Sequence, residues 1–400
     1  MRQVIPHFKK SNRQVKTMLQ TSAIDKLSFP IPAESNSSVL QEISSTYYQL
    51  TPNEVRDRCF AAKETLGDSV FILAHHYQRD ETFQFQDASG DSLNLAQVAK
   101  KQSAQYILFC GVHFMAESAD ILTSDDQAVI LPNLTAGCSM ADMADVDMVE
   151  DCWDELIEAC GENKFIPITY INSSASLKAF CGKNGGIVCT SSNSETVLQW
   201  ALKQGKSVLF FPDQHLGRNT ANKLGVPKEN IRLWDRQNDG GLTAEDLKNT
   251  KVLLWNGYCS VHTRFSVDQI KAIRSRRPEV KVIVHPECSE EVVNAADFDG
   301  STNKIIQIIE NAESGSSWAV GTEINLVHRL HQKLYPREGK HIECLNPHVC
   351  PCSTMYCTDP VNVLWVLENL IEGRVVNQIK VPPETARWAK VALDRMLKLS

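Results

Sequence analysis

Short apolar segments alternate with helical stretches from Thr51 to about residue 350. Each segment is only a few residues long and rich in β-branched, aromatic or leucine side chains, which is typical of strands buried on both faces. The predicted strands are 69–74, 105–109, 128–131, 164–169, 186–189, 207–211, 251–255, 280–284 and 318–320. Strands that alternate with helices predict parallel sheets covered by helices, which is an α/β fold.

The number of these units exceeds what one ordinary doubly wound sheet contains. Several α/β layers in tandem, of roughly 80 to 120 residues each, fit the pattern better. A closed (β/α)8 barrel is the structural alternative. Glycine-rich stretches at 183–186 and 238–241 interrupt the rhythm and argue against it. Helical spacing in 360–371 and 384–399 predicts two helices that close the fold.

The first 48 residues show no such periodicity. They carry several basic side chains and no acidic residue before Asp25. We interpret residues 1–48 as an N-terminal tail that is disordered or loosely docked, and an organellar transit peptide is the alternative.

Polar side chains recur just past the predicted strands, where parallel α/β proteins bind their ligands. The simplest explanation is that these residues cap the helices that follow, and it accounts well for Ser173, Ser191 and Ser289. It accounts less well for three groupings of histidine, tyrosine, glutamate and cysteine, namely 75–77, 259–262 and 285–288. For those groupings we favour a functional role.

Composition excludes several classes of function. Of the 400 residues, 42% are apolar and 22% are charged, as in an ordinary globular protein. The net charge of −7 and the lack of a basic cluster argue against nucleic-acid binding. No run of eighteen apolar residues predicts a membrane span. Thirteen cysteines and no apolar segment at the N-terminus indicate a reducing compartment, so we expect a cytoplasmic protein with free, catalytic or metal-bound thiols.

Several cysteines lie on glycine- or proline-marked loops between regular elements. Taken singly, each is as well explained by core packing. If Cys138, Cys259 and one of Cys350 or Cys352 come from the ends of three layers, they can meet at one point. Three distant thiolates suit an iron-sulfur cluster with one iron that lacks a protein ligand, whereas structural zinc usually takes paired knuckles. Spacing alone leaves this open, because thirteen cysteines offer many combinations.

A series of motifs between Val70 and Tyr356 resembles quinolinate synthases. The motifs, in order, are AHHYQRDE, GDSLNLA, FMAES, AGCSMAD, YINSSASLKA, CTSSN, PDQHLGRN, WNGYCSVH, HPEC, DGSTNKI and CPCSTM. The resemblance implies three pseudo-symmetric α/β layers around a central iron-sulfur cluster of the 4Fe-4S type, with one cysteine from each layer. The layers would comprise residues 49–137 with 355–400, residues 138–258 and residues 259–354.

The resemblance also implies a reaction. The family condenses iminoaspartate with dihydroxyacetone phosphate to quinolinate, phosphate and water, in the biosynthesis of NAD and other pyridine nucleotides. Such an enzyme is a transferase that forms a carbon-carbon bond and removes water, with the open iron as a Lewis acid. Functional coupling to the enzyme that makes iminoaspartate is a further expectation. No nucleic acid or membrane is expected as a partner.

Site residues carry over motif by motif. Cys138, Cys259 and Cys350 are the expected cluster ligands, with Cys352 a close alternative to Cys350. Cys344, Cys352 and Cys357 are candidates for a redox switch, although their spacing departs from the family pattern. The expected catalytic residues are Tyr77 and Glu287 as acid and base, with Tyr170 and His262 beside the cluster. The expected substrate-binding residues are His75, Ser92, Tyr170, Asn172, Ser191, His285, Ser301 and Thr302.

Two other functions stay open on the sequence. An aconitase-like hydro-lyase would share the open iron but would not need a phosphate site, for which the DGST stretch at Asp299 is suited. A non-enzymatic iron-sulfur sensor would need a basic or amphipathic partner-binding region, which the sequence does not show.

Overall fold

The computed structural model describes residues 43–235, 240–346 and 351–399. Most of the predicted N-terminal tail therefore lies outside the described residues. The strands are β1 (Val70–His75), β2 (Ala88–Gly90), β3 (Tyr106–Cys110), β4 (Ala128–Ile130), β5 (Phe165–Tyr170), β6 (Ile187–Cys189), β7 (Ser207–Phe211), β8 (Ile231–Trp234), β9 (Val252–Trp255), β10 (Lys281–Val284), β11 (Phe298–Asp299), β12 (Ser317–Gly321), β13 (His341–Cys344) and β14 (Gln378–Ile379).

Helices precede, connect and follow these strands. They are α1 (Pro52–Leu66), α2 (Asp80–Phe83), α3 (Ser92–Ala99), α4 (His113–Leu122), α5 (Val146–Cys160), α6 (Ala175–Lys183), α7 (Ser194–Leu202), α8 (Gln214–Lys223), α9 (Ala244–Asn249), α10 (Val267–Arg276), α11 (Glu290–Ala295), α12 (Thr302–Glu310), α13 (Ile324–Glu338), α14 (Ser353–Tyr356), α15 (Pro360–Ile371) and α16 (Pro383–Leu399). Short 3-10 turns occupy Tyr47–Gln49, Gly67–Ser69, Ala141–Met143, Lys228–Asn230 and His262–Arg264. Across the described residues, every helix is too short or too polar to span a bilayer.

The α/β prediction is confirmed. All the predicted strands are present with ends displaced by about one residue, and α15 and α16 match the two predicted closing helices. The strands form three separate sheets, which excludes the closed barrel: β14-β4-β3-β1-β2, β6-β5-β7-β9-β8 and β11-β10-β12-β13.

The same strand order recurs in all three sheets. Counted along the chain within each sheet, the order is fourth, third, first, second, with β8 and β14 as additional edge strands. Every pair is parallel except β14 with β4. Loops at equivalent positions therefore leave equivalent places on the carboxyl edge of each sheet. The predicted layer boundaries stay a prediction, because strand order does not delimit domains.

Burial follows from this parallel arrangement. Every residue of β5, β7 and β9 is buried, since helices cover both faces of the second sheet. Helix α15 packs on α1 and the first sheet. Helix α16, which the prediction groups with the first layer, packs on α6 and puts Ala389, Leu393 and Met396 into the core of the second sheet.

Helices α6 and α16 meet at Gly182, where a Cβ atom would lie 2.0 Å from the carbonyl oxygen of Trp388. We expect Gly182→Ala to lower the stability of the protein. Alanine gains about 1 kcal/mol of intrinsic helix propensity, but overpacking against backbone costs about 1–3 kcal/mol or more. The thermal unfolding midpoint should fall, whereas Lys183→Ala, at an exposed position of the same helix, should leave it unchanged. An unchanged midpoint in Gly182→Ala would contradict this packing.

Candidate active site

Loops from the carboxyl edges of the three sheets line a pocket whose empty volume, together with its opening to solvent, is about 640 Å³. Most of the predicted site residues line it: His75, Tyr77, Ser92, Cys138, Tyr170, Asn172, Ser191, Cys259, His262, His285, Glu287 and Thr302. Ser301 is buried just behind the lining, 2.9 Å from Ser192 through their hydroxyl oxygens. Cys350 lies outside the described residues, so its role stays a prediction.

Glu287 is the centre of the hydrogen bonds in this pocket. Its Oε1 accepts a 2.7 Å hydrogen bond from the Tyr170 hydroxyl, and its Oε2 lies 2.7 Å from Nδ1 of His262. Glu287 is buried, with only 3% of the residue exposed to solvent. Both oxygens are thus held by groups that can exchange a proton with it.

A chain of hydrogen bonds extends from Glu287 to Tyr77. Nε2 of His262 lies 3.1 Å from the Thr322 hydroxyl, which lies 2.7 Å from the Tyr77 hydroxyl. The Tyr77 hydroxyl is also 3.2 Å from that of Thr302. The predicted acid and base are therefore joined through His262 and Thr322.

Two buried histidines have a defined tautomer. Nδ1 of His75 accepts the backbone N–H of Tyr77 at 3.1 Å, and Nδ1 of His285 accepts that of Glu287 at 3.3 Å. Burial lowers the pKa of His285 to about 3 and that of His75 well below its usual value. Both rings are neutral at pH 7, so each carries its proton on Nε2 and can donate it to a ligand.

The acid and base groups of the pocket have pKa values moved in opposite directions. Burial alone would raise the pKa of Glu287, but electrostatic interaction with the His285 and His262 rings and hydrogen bonds with His262 and Tyr170 lower it. Burial, followed by the charge of Glu287, raises the pKa of Tyr77 and of Tyr170 well above 10. At neutral pH Glu287 is thus a carboxylate that lies among protonated phenols.

Three thiols converge on the same pocket, those of Cys138, Cys259 and Cys352. Burial raises the pKa of each thiol, to about 12 for Cys138, and electrostatic repulsion between them contributes for Cys138 and Cys259. Backbone N–H groups two or three residues further along the chain donate to each sulfur. Free thiols gain little from such a setting, whereas metal-bound thiolates are stabilised by it, so this donor set fits a cluster.

A second set of potential ligands overlaps the first. Cys259, His262 and Glu287 have donor atoms within 4.8 Å of one another. Glu287 and both ring nitrogens of His262 are already engaged in hydrogen bonds, whereas Cys259 also belongs to the set of three convergent thiols.

Sequence reasoning missed several residues of the site. Asp91 and Thr322 each follow the last residue of a strand, β2 and β12. Ser92 next to Asp91 was predicted as a site residue, but no residue of the loop after β12 was. Cys352 was weighed only as an alternative to Cys350. The polar loop after β12 was a usable signal for Thr322, but its role depends on contacts across two sheets.

The fold and the site define an α/β protein whose buried acid-base network lies beside three convergent thiols. Residues 59–398 match the family described as quinolinate synthetase A protein, and the chain belongs to this family. It is 54% identical over 372 residues to a quinolinate synthase of Corynebacterium glutamicum, covering 92% of this chain and 93% of that one. Identity is 55% over 345 residues to the Streptomyces coelicolor quinolinate synthase, covering 86% and 87%. The protein is therefore an enzyme, as predicted.

The low pKa of the buried histidines predicts acid sensitivity. Folding is favoured by these groups above the unfolded pKa near 6.5, and this contribution is lost as the pH falls below 6.5 toward the folded value of about 3 for His285. Between pH 6 and pH 5 each such histidine lowers the free energy of unfolding by at most about 1.4 kcal/mol per pH unit. We expect the unfolding midpoint, measured anaerobically, to fall less between pH 6 and pH 5 for His285→Asn than for the wild type.

His328→Asn is the matched control, because the side chain of His328 is 61% exposed. It should reproduce the wild-type pH profile. The same acid dependence in His285→Asn and in the wild type would contradict the neutral, buried state of His285.

Proposed function

We propose that this enzyme condenses iminoaspartate with dihydroxyacetone phosphate to form quinolinate, using a 4Fe-4S cluster. The observation that carries the proposal is the convergence of three thiols on the pocket that contains the Glu287 network. The names of the relatives support the product. Functional coupling to an enzyme that supplies iminoaspartate is part of the same proposal.

Cys138, Cys259 and Cys352 would hold the cluster. Cys350 was the first choice on the sequence, but strand equivalence favours Cys352. Cys138 follows the last residue of β4 by eight residues, Cys352 follows the last residue of β13 by eight, and β4 and β13 are the fourth strands of their sheets. When bound, such a cluster supplies a Lewis-acidic iron that can polarise a hydroxyl or carboxylate of the substrate.

The anionic groups of the substrates would be bound by neutral donors and helix N-termini. Ser92 and Thr302 are the first residues of α3 and α12, and both line the pocket. Backbone N–H groups and the positive end of the helix dipole attract carboxylate and phosphate there. The Nε2–H groups of His75 and His285 add two further donors.

Asn172 supplies a polar group that is free for substrate. Its Oδ1 is buried without a hydrogen-bond partner among the described residues, and a buried amide oxygen of this kind is costly unless a ligand satisfies it. This oxygen would accept a hydrogen bond from an N–H or O–H group of the substrate, while neutral donors elsewhere in the pocket hold its anionic groups without adding charge beside the acid-base pair, which preserves the ionised state of Glu287.

Glu287 would act as the base and Tyr77 as the acid. The reaction must remove protons from carbon or nitrogen and expel water, so it needs both roles. The path from Glu287 through His262 and Thr322 to Tyr77 lets a proton taken on one side be returned on the other. Tyr170 would keep the carboxylate oriented through its 2.7 Å hydrogen bond.

Replacing the cluster thiols tests the cofactor. We expect Cys138→Ser, Cys259→Ser and Cys352→Ser each to lose most iron and sulfide and all quinolinate formation, because a hydroxyl is a poor substitute for a soft thiolate. Anaerobic iron and sulfide analysis with Mössbauer spectra measures this directly. Cys110→Ser is the matched control, since this buried thiol lies outside the pocket lining; it should keep the cluster and lose at most about 1–3 kcal/mol of stability.

The same series decides between the two candidate cysteines of one loop. Cys350→Ser should keep its cluster if Cys352 is the ligand. Loss of iron in Cys350→Ser with retention in Cys352→Ser would reverse that assignment and leave the cofactor intact. The proposal of an iron-sulfur cluster would be refuted by either of two results. One is a wild-type iron content in all four serine variants, at Cys138, Cys259, Cys350 and Cys352, and the other is stoichiometric zinc in the wild type.

Removal of the proposed base tests the chemistry separately from the cofactor. We expect Glu287→Gln to lower kcat for quinolinate formation by about 10²- to 10⁴-fold, since the amide cannot accept the proton. Cluster iron should stay at the wild-type level. An assay with iminoaspartate generated in place and dihydroxyacetone phosphate measures the rate, and wild-type turnover in Glu287→Gln would remove Glu287 from the mechanism.

A further inference from the structure

Three of the loops that carry proposed acid-base or substrate-binding groups are each held by a helix of a different sheet. The loops in question follow the first strand of each sheet: they leave β1 with Tyr77, β5 with Tyr170 and Asn172, and β10 with Glu287. The helices follow the third strand of each sheet, and they are α4, α8 and α13. The side chains of these helices that hold the loops, Glu117, Asn219, Asn325 and Arg329, lie outside the pocket lining, although Phe114 and Met115 of α4 belong to it.

Helix α13 of the third sheet holds the loop after β1. Arg329 donates to the carbonyl oxygen of His76 and, at 2.8 Å, to that of Gln78. Asn325 Nδ2 lies 3.4 Å from the carbonyl oxygen of Tyr77. Three successive carbonyl groups, centred on the proposed acid, are thus bound by two side chains of one helix. Arg329 also pairs with Asp80, and its side chain is 17% exposed.

Helix α8 of the second sheet holds the loop after β10. The Nδ2 group of Asn219 donates to the carbonyl oxygen of Pro286 at 2.8 Å and to that of Cys288 at 2.9 Å. Both hydrogens of the amide are used, and the two carbonyl groups flank Glu287. Asn219 is 3% exposed, so water cannot readily replace it as a donor.

Helix α4 of the first sheet holds the loop after β5. Oε2 of Glu117 accepts the backbone N–H of Ala175 at 3.0 Å, at the point where this loop enters α6. Lys178, which is fully buried, donates to the carbonyl oxygen of Ser173 in the same loop. Glu117 and Lys178 also attract each other electrostatically. The loop is therefore held both at a backbone N–H group, that of Ala175, and at a backbone carbonyl group, that of Ser173.

These contacts form a closed cycle. The first sheet holds the loop of the second, the second holds that of the third, and the third holds that of the first. We propose that Glu117, Asn219, Asn325 and Arg329, which we term the positioning ring, set the placement of Tyr170, Glu287 and Tyr77. The inference rests on the proposed function, because it assigns these residues a role in that reaction.

The physical reason is the narrow geometry of proton transfer. Glu287, on a loop of the third sheet, must keep both oxygens at 2.7 Å from different partners of the second sheet, Tyr170 at the end of β5 and His262 after β9. A misplacement of about 1 Å at a reacting group costs on the order of 10²-fold in rate. A loop held only by its own sheet could shift by this amount whenever the sheets move against each other.

Variants of Asn219 and Arg329 test the ring. We expect Asn219→Ala and Arg329→Met each to lower kcat at least about tenfold, while KM and the calorimetric affinity for quinolinate change less than threefold. Iron per chain should equal that of the wild type. Arg329→Lys should recover part of the loss, because an ammonium group can donate to a carbonyl oxygen and pair with Asp80 but cannot reproduce the planar fork.

The matched control is Asn369→Ala. Asn369 is also a buried helical asparagine whose Nδ2 donates to a backbone carbonyl, that of Trp365 at 2.7 Å, but it lies in α15 away from the pocket. It should lower the unfolding midpoint as much as Asn219→Ala does and leave kcat unchanged. This comparison separates positioning from general stability.

The results distinguish the two levels of inference. Wild-type kcat in both ring variants, a loss of kcat in Asn369→Ala equal to that in Asn219→Ala, or a loss that only parallels lost iron would overturn the ring and leave the proposed function standing. A wild-type enzyme that carries its cluster but forms no quinolinate would overturn the proposed function, and the role of the ring with it.

Discussion

The three sheets are joined at one point by hydrogen bonds among Asp91, Ser192 and Ser301. The Ser192 hydroxyl lies 3.0 Å from Oδ2 of Asp91 and 2.9 Å from the Ser301 hydroxyl, and each residue follows the second strand of a different sheet. This contact brings three carboxyl edges together and so creates the pocket between them. Asp91 is buried, yet Ser192 and the backbone N–H of Asn94 satisfy its carboxylate, which limits the desolvation cost of placing a charge there.

Two buried carboxyl groups near that junction, those of Glu287 and Asp213, have pKa values shifted in opposite directions. Glu287, which contacts Tyr170, is the one favoured in its ionised form. Asp213 lies buried behind the site, where burial and the charge of Glu287 raise its pKa well above the usual value. Glu287 has the opposite shift because His262 and Tyr170 bind its oxygens. Because their pKa values are shifted apart, Glu287 is the carboxyl group that can accept a proton and Asp213 is the one that stays neutral. The neutral ring of His285 next to Glu287 can therefore serve as a hydrogen-bond donor through Nε2.

The sequence predicted what depends on local pattern and missed what depends on contacts between sheets. Long apolar strands such as β5 and β7 are buried on both faces, so their composition alone identifies them. The edge strands β2, β11 and β14 have two or three residues each, too few to show a period. His75, Tyr77 and Glu287 were found because they belong to motifs at strand ends. Asn219 and Arg329 were not, because a helical asparagine or arginine has no local mark of the carbonyl groups it binds. Cys350 and Cys352 are two residues apart and have the same chemistry, so the sequence alone does not separate them, and it is the contribution of Cys352 to the pocket lining that the pattern does not encode.

Repetition of one strand order explains how a single chain builds an asymmetric site on a regular scaffold. The pairs His75 with Tyr77, Tyr170 with Asn172, and His285 with Glu287 all lie at or just past the end of a first strand, with the second member two residues beyond the first. A trimer of identical chains would place the same residue at all three positions. Because the three layers share one chain, each position can differ, and a phenol, an amide and a carboxylate face one pocket. The proposed reaction would need an acid, a base and a substrate anchor at once and so depends on that difference, while the shared topology puts the three groups at equivalent positions of their sheets.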